Sequence, residues 1–121
     1  MHKVLIVEDD YLQSYVLKAQ LQGMGYEVTG STNTGEEAVR LAIETKPDII
    51  LMDITLDGDM DGIEAAKKIE QLIDTYLIYI TGNTDDLHRT RALDTNYTHY
   101  LEKPISKSIL NGALSGFQKN V

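Results

Sequence analysis

Glu8, Asp9 and Asp10, then Asp53, Thr81 and Lys103, are the residues of this chain whose types could do chemistry together. Brought to one place they would supply carboxylates, a hydroxyl and an ammonium, the parts of a phosphoryl and divalent-metal site. Crowded carboxylates repel and raise one another's pKa unless a cation neutralises them. Hard oxygen donors with no His or Cys among them favour magnesium. Asp53 is the nucleophile candidate, because a carboxylate can attack a phosphoryl group and form an aspartyl phosphate. Lys103 would act as a point charge on phosphate oxygens, and Thr81 as a hydroxyl donor to them. Each has a plainer reading alone: Asp10 as a charge favoured at a helix N-terminus, Asp53 as a turn cap, Thr81 as a β-former.

Position is what joins them, for each follows a short apolar run. Val4-Leu5-Ile6-Val7 leads into Glu8, Ile49-Ile50-Leu51-Met52 into Asp53, and Leu77-Ile78-Tyr79-Ile80 into Thr81, while Tyr100-Leu101 shortly precedes Lys103-Pro104. Such runs, separated by helix-like stretches, read as parallel strands buried on both faces. Open α/β sheets build their sites at the carboxyl ends of such strands. The pattern predicts strands over 26–30, 48–52, 76–81 and 98–101 besides the first. It predicts a helix over 11–24, with Leu17, Leu21 and Met24 on one face, closed by Gly23 and Gly25. A second helix, 35–45, is closed by Lys46-Pro47, and a third runs from Gly62 to about Ile73 on an apolar stripe of Ile63, Ala66, Ile69 and Ile73. A weaker fourth covers 85–94 with a thin stripe of Leu87, Ala92 and Leu93. Ser106 caps a fifth carrying Ile109, Ala113, Leu114 and Phe117. The result is five β/α units in one domain over 1–121, with no effector domain expected in this chain.

Composition narrows the function classes. A formal charge of −8 without a basic patch argues against direct nucleic-acid binding. The absence of cysteine excludes disulfides, thiolate zinc sites and thiol nucleophiles, and it fits a cytoplasmic setting. The apolar run after Met1-His2-Lys3 is too short for a signal peptide or a membrane span. His2, His88 and His99 are scattered and show no ligand spacing.

Five segments, taken in order, resemble the receiver domain of two-component response regulators. They are Val-Leu-Ile-Val-Glu-Asp-Asp at 4–10, Pro-Asp-Ile-Ile-Leu-Met-Asp-Ile at 47–54, Met-Asp-Gly-Ile-Glu-Ala-Ala at 60–66, Ile-Tyr-Ile-Thr-Gly at 78–82 and Tyr-Leu-Glu-Lys-Pro at 100–104. The resemblance covers essentially the whole chain. It implies a flavodoxin-like (βα)5 three-layer sandwich with parallel strand order 2-1-3-4-5. It further implies that Asp53 accepts phosphate from a phosphohistidine on a sensor histidine kinase or phosphotransfer protein. Glu8, Asp9, Asp53 and the backbone carbonyl of Thr55 would hold magnesium, or manganese in its place. Thr81 and Lys103 would bind the phosphoryl oxygens, with Tyr100 the aromatic whose rotamer reports the state. The face built from the fourth helix, fifth strand and fifth helix would meet a downstream protein. On this reading the chain is no enzyme beyond its own phosphorylation and dephosphorylation, and a homodimer through the last helix competes with that helix's packing on the core.

Two stretches depart from the family pattern. The loop 54–59 lacks the proline often found there and looks one residue longer, and Thr95-Asn96 replaces a common Gly-Ala pair. Thr55 and Asn83, each two residues past a site residue, stand where they could touch an attacking water and tune phosphate lifetime. Three other readings compete. Asp57-Gly58-Asp59-Met60-Asp61-Gly62 imitates the start of an EF-hand loop, but its twelfth position is Lys68 and a strand precedes it. An aspartate-based phosphohydrolase would want a second aspartate where Thr55 stands. A receiver-like interaction module working without phosphorylation would not need Asp53, Thr81 and Lys103 together.

Overall fold

Every residue of the first strand from Val4 onward, and every residue of the third, is buried, so the sheet must be covered on both faces. The computed structural model describes residues 1–82 and 85–119, and in it the cover is helical. The elements alternate from β1 (Lys3–Val7), α1 (Tyr11–Gly23) and β2 (Glu27–Thr32) through α2 (Gly35–Thr45), β3 (Ile49–Asp53) and α3 (Gly62–Glu70) to β4 (Tyr76–Thr81), α4 (Asp86–Ala92), β5 (Tyr97–Glu102) and α5 (Lys107–Lys119). The strands form one parallel sheet in the order β2-β1-β3-β4-β5, the expected flavodoxin-like arrangement. Side chains alternate between faces along each strand. Leu5, Val7, Ile50, Met52 and Tyr79 therefore pack with Ala38, Ala66 and Ile69 on one side. Val4, Ile6, Leu51, Ile78 and Ile80 pack with Leu17, Leu21, Leu110 and Leu114 on the other.

The loops leaving the carboxyl edge of the sheet all end in a polar cap, which fixes where each helix starts. Asp10, Thr34, Asp61 and Asp85 accept the N–H of the residue three positions on, and Ser106 accepts that of Ile109 at 3.1 Å. These side chains satisfy helical N–H groups that have no partner within the helix. At the opposite edge Lys46 closes α2 in a left-handed conformation, φ 48°, just before Pro47.

Several expectations need correction. Tyr26 is buried ahead of β2, which starts at Glu27 and runs on to Thr32 because it pairs with β1 as far as Val7. Helix α3 stops at Glu70 instead of Ile73; the chain turns out with Leu72 exposed while Ile73 still packs on the core. β5 gains Tyr97 and Glu102 by pairing with Leu77 and Thr81. Helix α4 is shorter than 85–94, and of its supposed stripe only Ala92 is buried, with Leu87 and Leu93 about two-thirds exposed. In α5 the buried phase is Leu110, Ala113 and Leu114, with Phe117 partly buried, a spacing of three, four and seven, and Ile109 faces outward.

Candidate functional site

Parallel registration brings the chemically interesting residues to one edge. Val7 pairs with Met52, so Glu8 and Asp53 leave adjacent strands at the same level, and Asp53 pairs in turn with Ile80, the neighbour of Thr81. The backbone N–H of Lys103 donates to the Thr81 carbonyl at 2.8 Å, extending the β4–β5 ladder by one step. The Lys103-Pro104 peptide is cis.

Lys103 Nζ lies 2.7 Å from Glu8 Oε1 and 2.8 Å from Asp53 Oδ2. Both carboxylates are almost wholly buried, Glu8 at 2% and Asp53 at 3% exposure. One ammonium thus serves two acids that water barely reaches. The contact with Asp53 is a hydrogen bond, while the other oxygen of Asp53 takes a long one from Thr55 N–H at 3.3 Å. Glu8 also accepts the N–H of Asp10 at 3.0 Å, and Asp10 turns away to cap α1. Asp9 is exposed, but it completes a group with Glu8 and Asp53 whose potential ligand oxygens all lie within 4.8 Å of one another.

The charges are unbalanced in a definite direction. Burial pushes the Asp53 carboxyl above its ordinary value; Lys103 and Glu8 offset this in part, and the charge of Asp9 adds to it. Asp9 is raised as well, by burial and then by Glu8. For Lys103 burial works downward, yet its bonds to Asp53 and Glu8 outweigh that and hold the ammonium above its usual range. Three carboxylates facing one ammonium form a hard, oxygen-only donor set in excess of its own cation, and such a set suits magnesium.

Thr81 is fully buried at the end of β4. Tyr100 pairs with Tyr79 across the β4–β5 ladder and is half-buried. Its ring lies 6.0 Å from those of Tyr79 and Tyr97, beneath the Arg89 guanidinium at 4.9 Å from its centroid. Its phenolic oxygen is buried with no hydrogen-bond partner among the described residues. Thr55 is exposed just past Asp53, and Asn83 lies outside the described residues. The acids of the EF-hand likeness are spread over other tasks. Asp57 accepts from Asn33 at 3.0 Å, and Asp61 caps α3.

Sequence reasoning missed two features. Gly62 packs directly on the phosphoacceptor candidate's backbone: a Cβ there would fall 2.0 Å from the Asp53 carbonyl oxygen. Arg91 Nη1 reaches from α4 to Asp61 Oδ2 at 2.7 Å. The Asp61-x-x-Glu64 spacing of a capping box could have located the first, whereas nothing in the spacing of Arg91 points to Asp61.

Comparison with known proteins agrees with this geometry. Residues 4–115 match the response regulator receiver domain. The chain belongs to that family. The receiver domain is 36% identical over 121 residues to the transcriptional regulatory protein LiaR of Bacillus subtilis, covering 98% of this chain and 57% of LiaR. It spans a little over half the length of the curated relatives it matches. Among solved structures, the signal receiver domain of a modulated diguanylate cyclase from Desulfovibrio desulfuricans G20 superposes with a TM-score of 0.91 at 38% identity, covering 98% of this chain and 94% of that one. The receiver domain of the sensor histidine kinase PA1611 from Pseudomonas aeruginosa PAO1 gives a TM-score of 0.85 at 31% identity over 96% of both chains, and that structure has a magnesium ion coordinated in its active site cleft. Among the described residues no helix is long and apolar enough to cross a membrane.

Proposed function

We propose that Asp53 accepts a phosphoryl group from a phosphohistidine on a sensor histidine kinase or phosphotransfer protein, and that this changes the α4–β5–α5 surface read by a downstream protein. The observation that carries this reading is the single ammonium of Lys103 set between the buried carboxylates of Glu8 and Asp53 at 2.7 and 2.8 Å. Glu8, Asp9 and Asp53, with the Thr55 carbonyl, would hold a divalent cation, magnesium or manganese. Bound there, it would neutralise charge on the carboxylates and on the incoming phosphoryl oxygens.

In the transfer, one Asp53 oxygen forms the new O–P bond as the P–N bond of the donor breaks and its electron pair returns to the imidazole nitrogen. The ionised Asp53 carboxylate is the nucleophile. Lys103, held charged, shifts from its carboxylates to a phosphoryl oxygen, and the Thr81 hydroxyl donates to another. Tyr100 can turn inward as Thr81 moves, because its phenol gives up no hydrogen bond among the described residues. Thr55 and Asn83 would tune the lifetime of the adduct. A groove lined by Leu12, Val16, Pro104 and Ile105 opens beside Lys103, and such apolar surface suits a protein donor. With a charge of −8 we assign no direct nucleic-acid contact to this domain.

Intact mass after incubation with acetyl phosphate, with and without magnesium, tests the reading. The expected result is one magnesium-dependent phosphoryl adduct that Asp53→Asn lacks. A folded protein with no adduct would turn the reading to an interaction module that works without phosphorylation.

A further inference from the structure

Asp61 is shared by two helices. Its Oδ1 accepts the Glu64 N–H at 2.9 Å, and Glu64 Oε1 returns the favour to the Asp61 N–H at 3.2 Å, which fixes the first turn of α3. Its Oδ2 is held by Arg91 of α4 at 2.7 Å, with both side chains only a quarter to a third exposed. The next residue, Gly62, donates its N–H to the Ile54 carbonyl at 2.8 Å, and there is no room for a Cβ against the Asp53 carbonyl or Ile54 Cα. The two peptide groups that follow Asp53 therefore rest on the first turn of α3, and Arg91 grips the carboxylate that orients that turn. Other links from this region reach α3 farther from Asp53: Asn96 N–H donates to Glu70 Oε2 at 2.9 Å at the last residue of the helix, and Lys67 and Asp94 are 3.9 Å apart and exposed.

We propose that Arg91 is a positioning residue for the phosphoacceptor, setting the main chain at Asp53–Thr55 through Asp61 and Gly62 and so raising the affinity of the site for its cation. The proposal rests on the function argued above, since it assigns the cation to that site. Coupling of this kind is reciprocal: a cation favoured by the Arg91–Asp61 pair favours the pair by the same factor.

The test uses Arg91→Met, which keeps a long side chain without charge, and Asp61→Asn, which keeps a capping oxygen but weakens the ion pair. The double variant and Arg91→Lys complete the set. Two readouts precede any phosphoryl transfer: the amide resonances of Ile54, Thr55 and Gly62 in the metal-free protein, and magnesium affinity by titration. Each single variant should shift those resonances and weaken magnesium binding about 3- to 10-fold, as expected for coupling carried through one intermediate contact. The double variant should be no worse than either single one, and Arg91→Lys should recover part of the loss. Unchanged magnesium affinity in folded Arg91→Met, resonance changes confined to Asp61 and α4, or fully additive losses would each overturn the proposal. Wild-type protein that binds magnesium but takes no phosphoryl group overturns the proposed function and leaves this comparison intact. Wild-type protein that binds no magnesium overturns both.

Discussion

Asp53 is held in a state that costs the fold something. A carboxyl whose folded pKa lies above its unfolded value favours folding below the unfolded value and loses that contribution as pH rises through the folded pKa. Burial raises Asp53 in this way, so at neutral pH the ionised side chain works against the metal-free fold. Asp53→Asn should therefore raise the midpoint of thermal unfolding at pH 7. The advantage should shrink as the pH is lowered toward 3.8, the ordinary value for the group. Melting curves of both proteins without magnesium from pH 7 downward check this, and a variant that melts lower at pH 7 would contradict it. The types of Glu8, Asp53, Thr81 and Lys103 were legible in the sequence because each follows an apolar run. What could not be read was that Lys103 bridges two carboxylates, since that depends on the distance between β1 and β5 across the intervening β3 and β4.

Among the elements, α4 stands apart. α1, α2, α3 and α5 each press an apolar stripe on the sheet, whereas Ala92 alone is buried in α4. Polar contacts hold it in place. Arg91 pairs with Asp61, Arg89 covers Tyr100 and lies 3.7 Å from Glu102, and the chain leaving α4 is tied down at Thr95. Thr95 Oγ1 donates to the Ala92 carbonyl at 2.7 Å and accepts from the buried Tyr79 hydroxyl at 2.9 Å. Thr95→Val keeps the shape but strands that hydroxyl, and it should lower unfolding stability by about 1–3 kcal/mol in urea titrations. A loss near zero would mean that water satisfies Tyr79. The sequence marked Thr95-Asn96 as a departure without showing its use, because the use needs Tyr79 on a neighbouring strand. The apolar stripe over the first two turns of α3 was readable for the opposite reason: its partner is the sheet itself. In α5 only the first position of the stripe was misread, because Ile109 and Leu110 are both apolar and only packing chooses between them.

For the whole molecule, strand order matters more than any single contact. With β1 and β3 adjacent, the acids at their carboxyl ends sit side by side, and the residue after β5 brings in their counter-charge. A cation at this edge would bridge segments distant in sequence and bind the folded chain only. Magnesium at 100 times its dissociation constant should then add about 2.7 kcal/mol to stability, seen as a rise in melting temperature that saturates with concentration. No rise would argue against a site made of Glu8, Asp9 and Asp53. The parallel sheet was legible from the alternation of elements, and its order from the resemblance to receiver domains. Yet the three-ring contact of Tyr79, Tyr97 and Tyr100, with centroids 5.6 to 6.0 Å apart, was not, for it arises where β4 and β5 lie together. That cluster has a practical consequence. The chain has seven tyrosines and no tryptophan, so its near-ultraviolet dichroism comes chiefly from phenol rings, and the strongest coupling belongs to rings that touch. A turn of Tyr100 would change that spectrum without any label attached: the domain carries its own optical gauge of the residue on which its signalling is argued to depend.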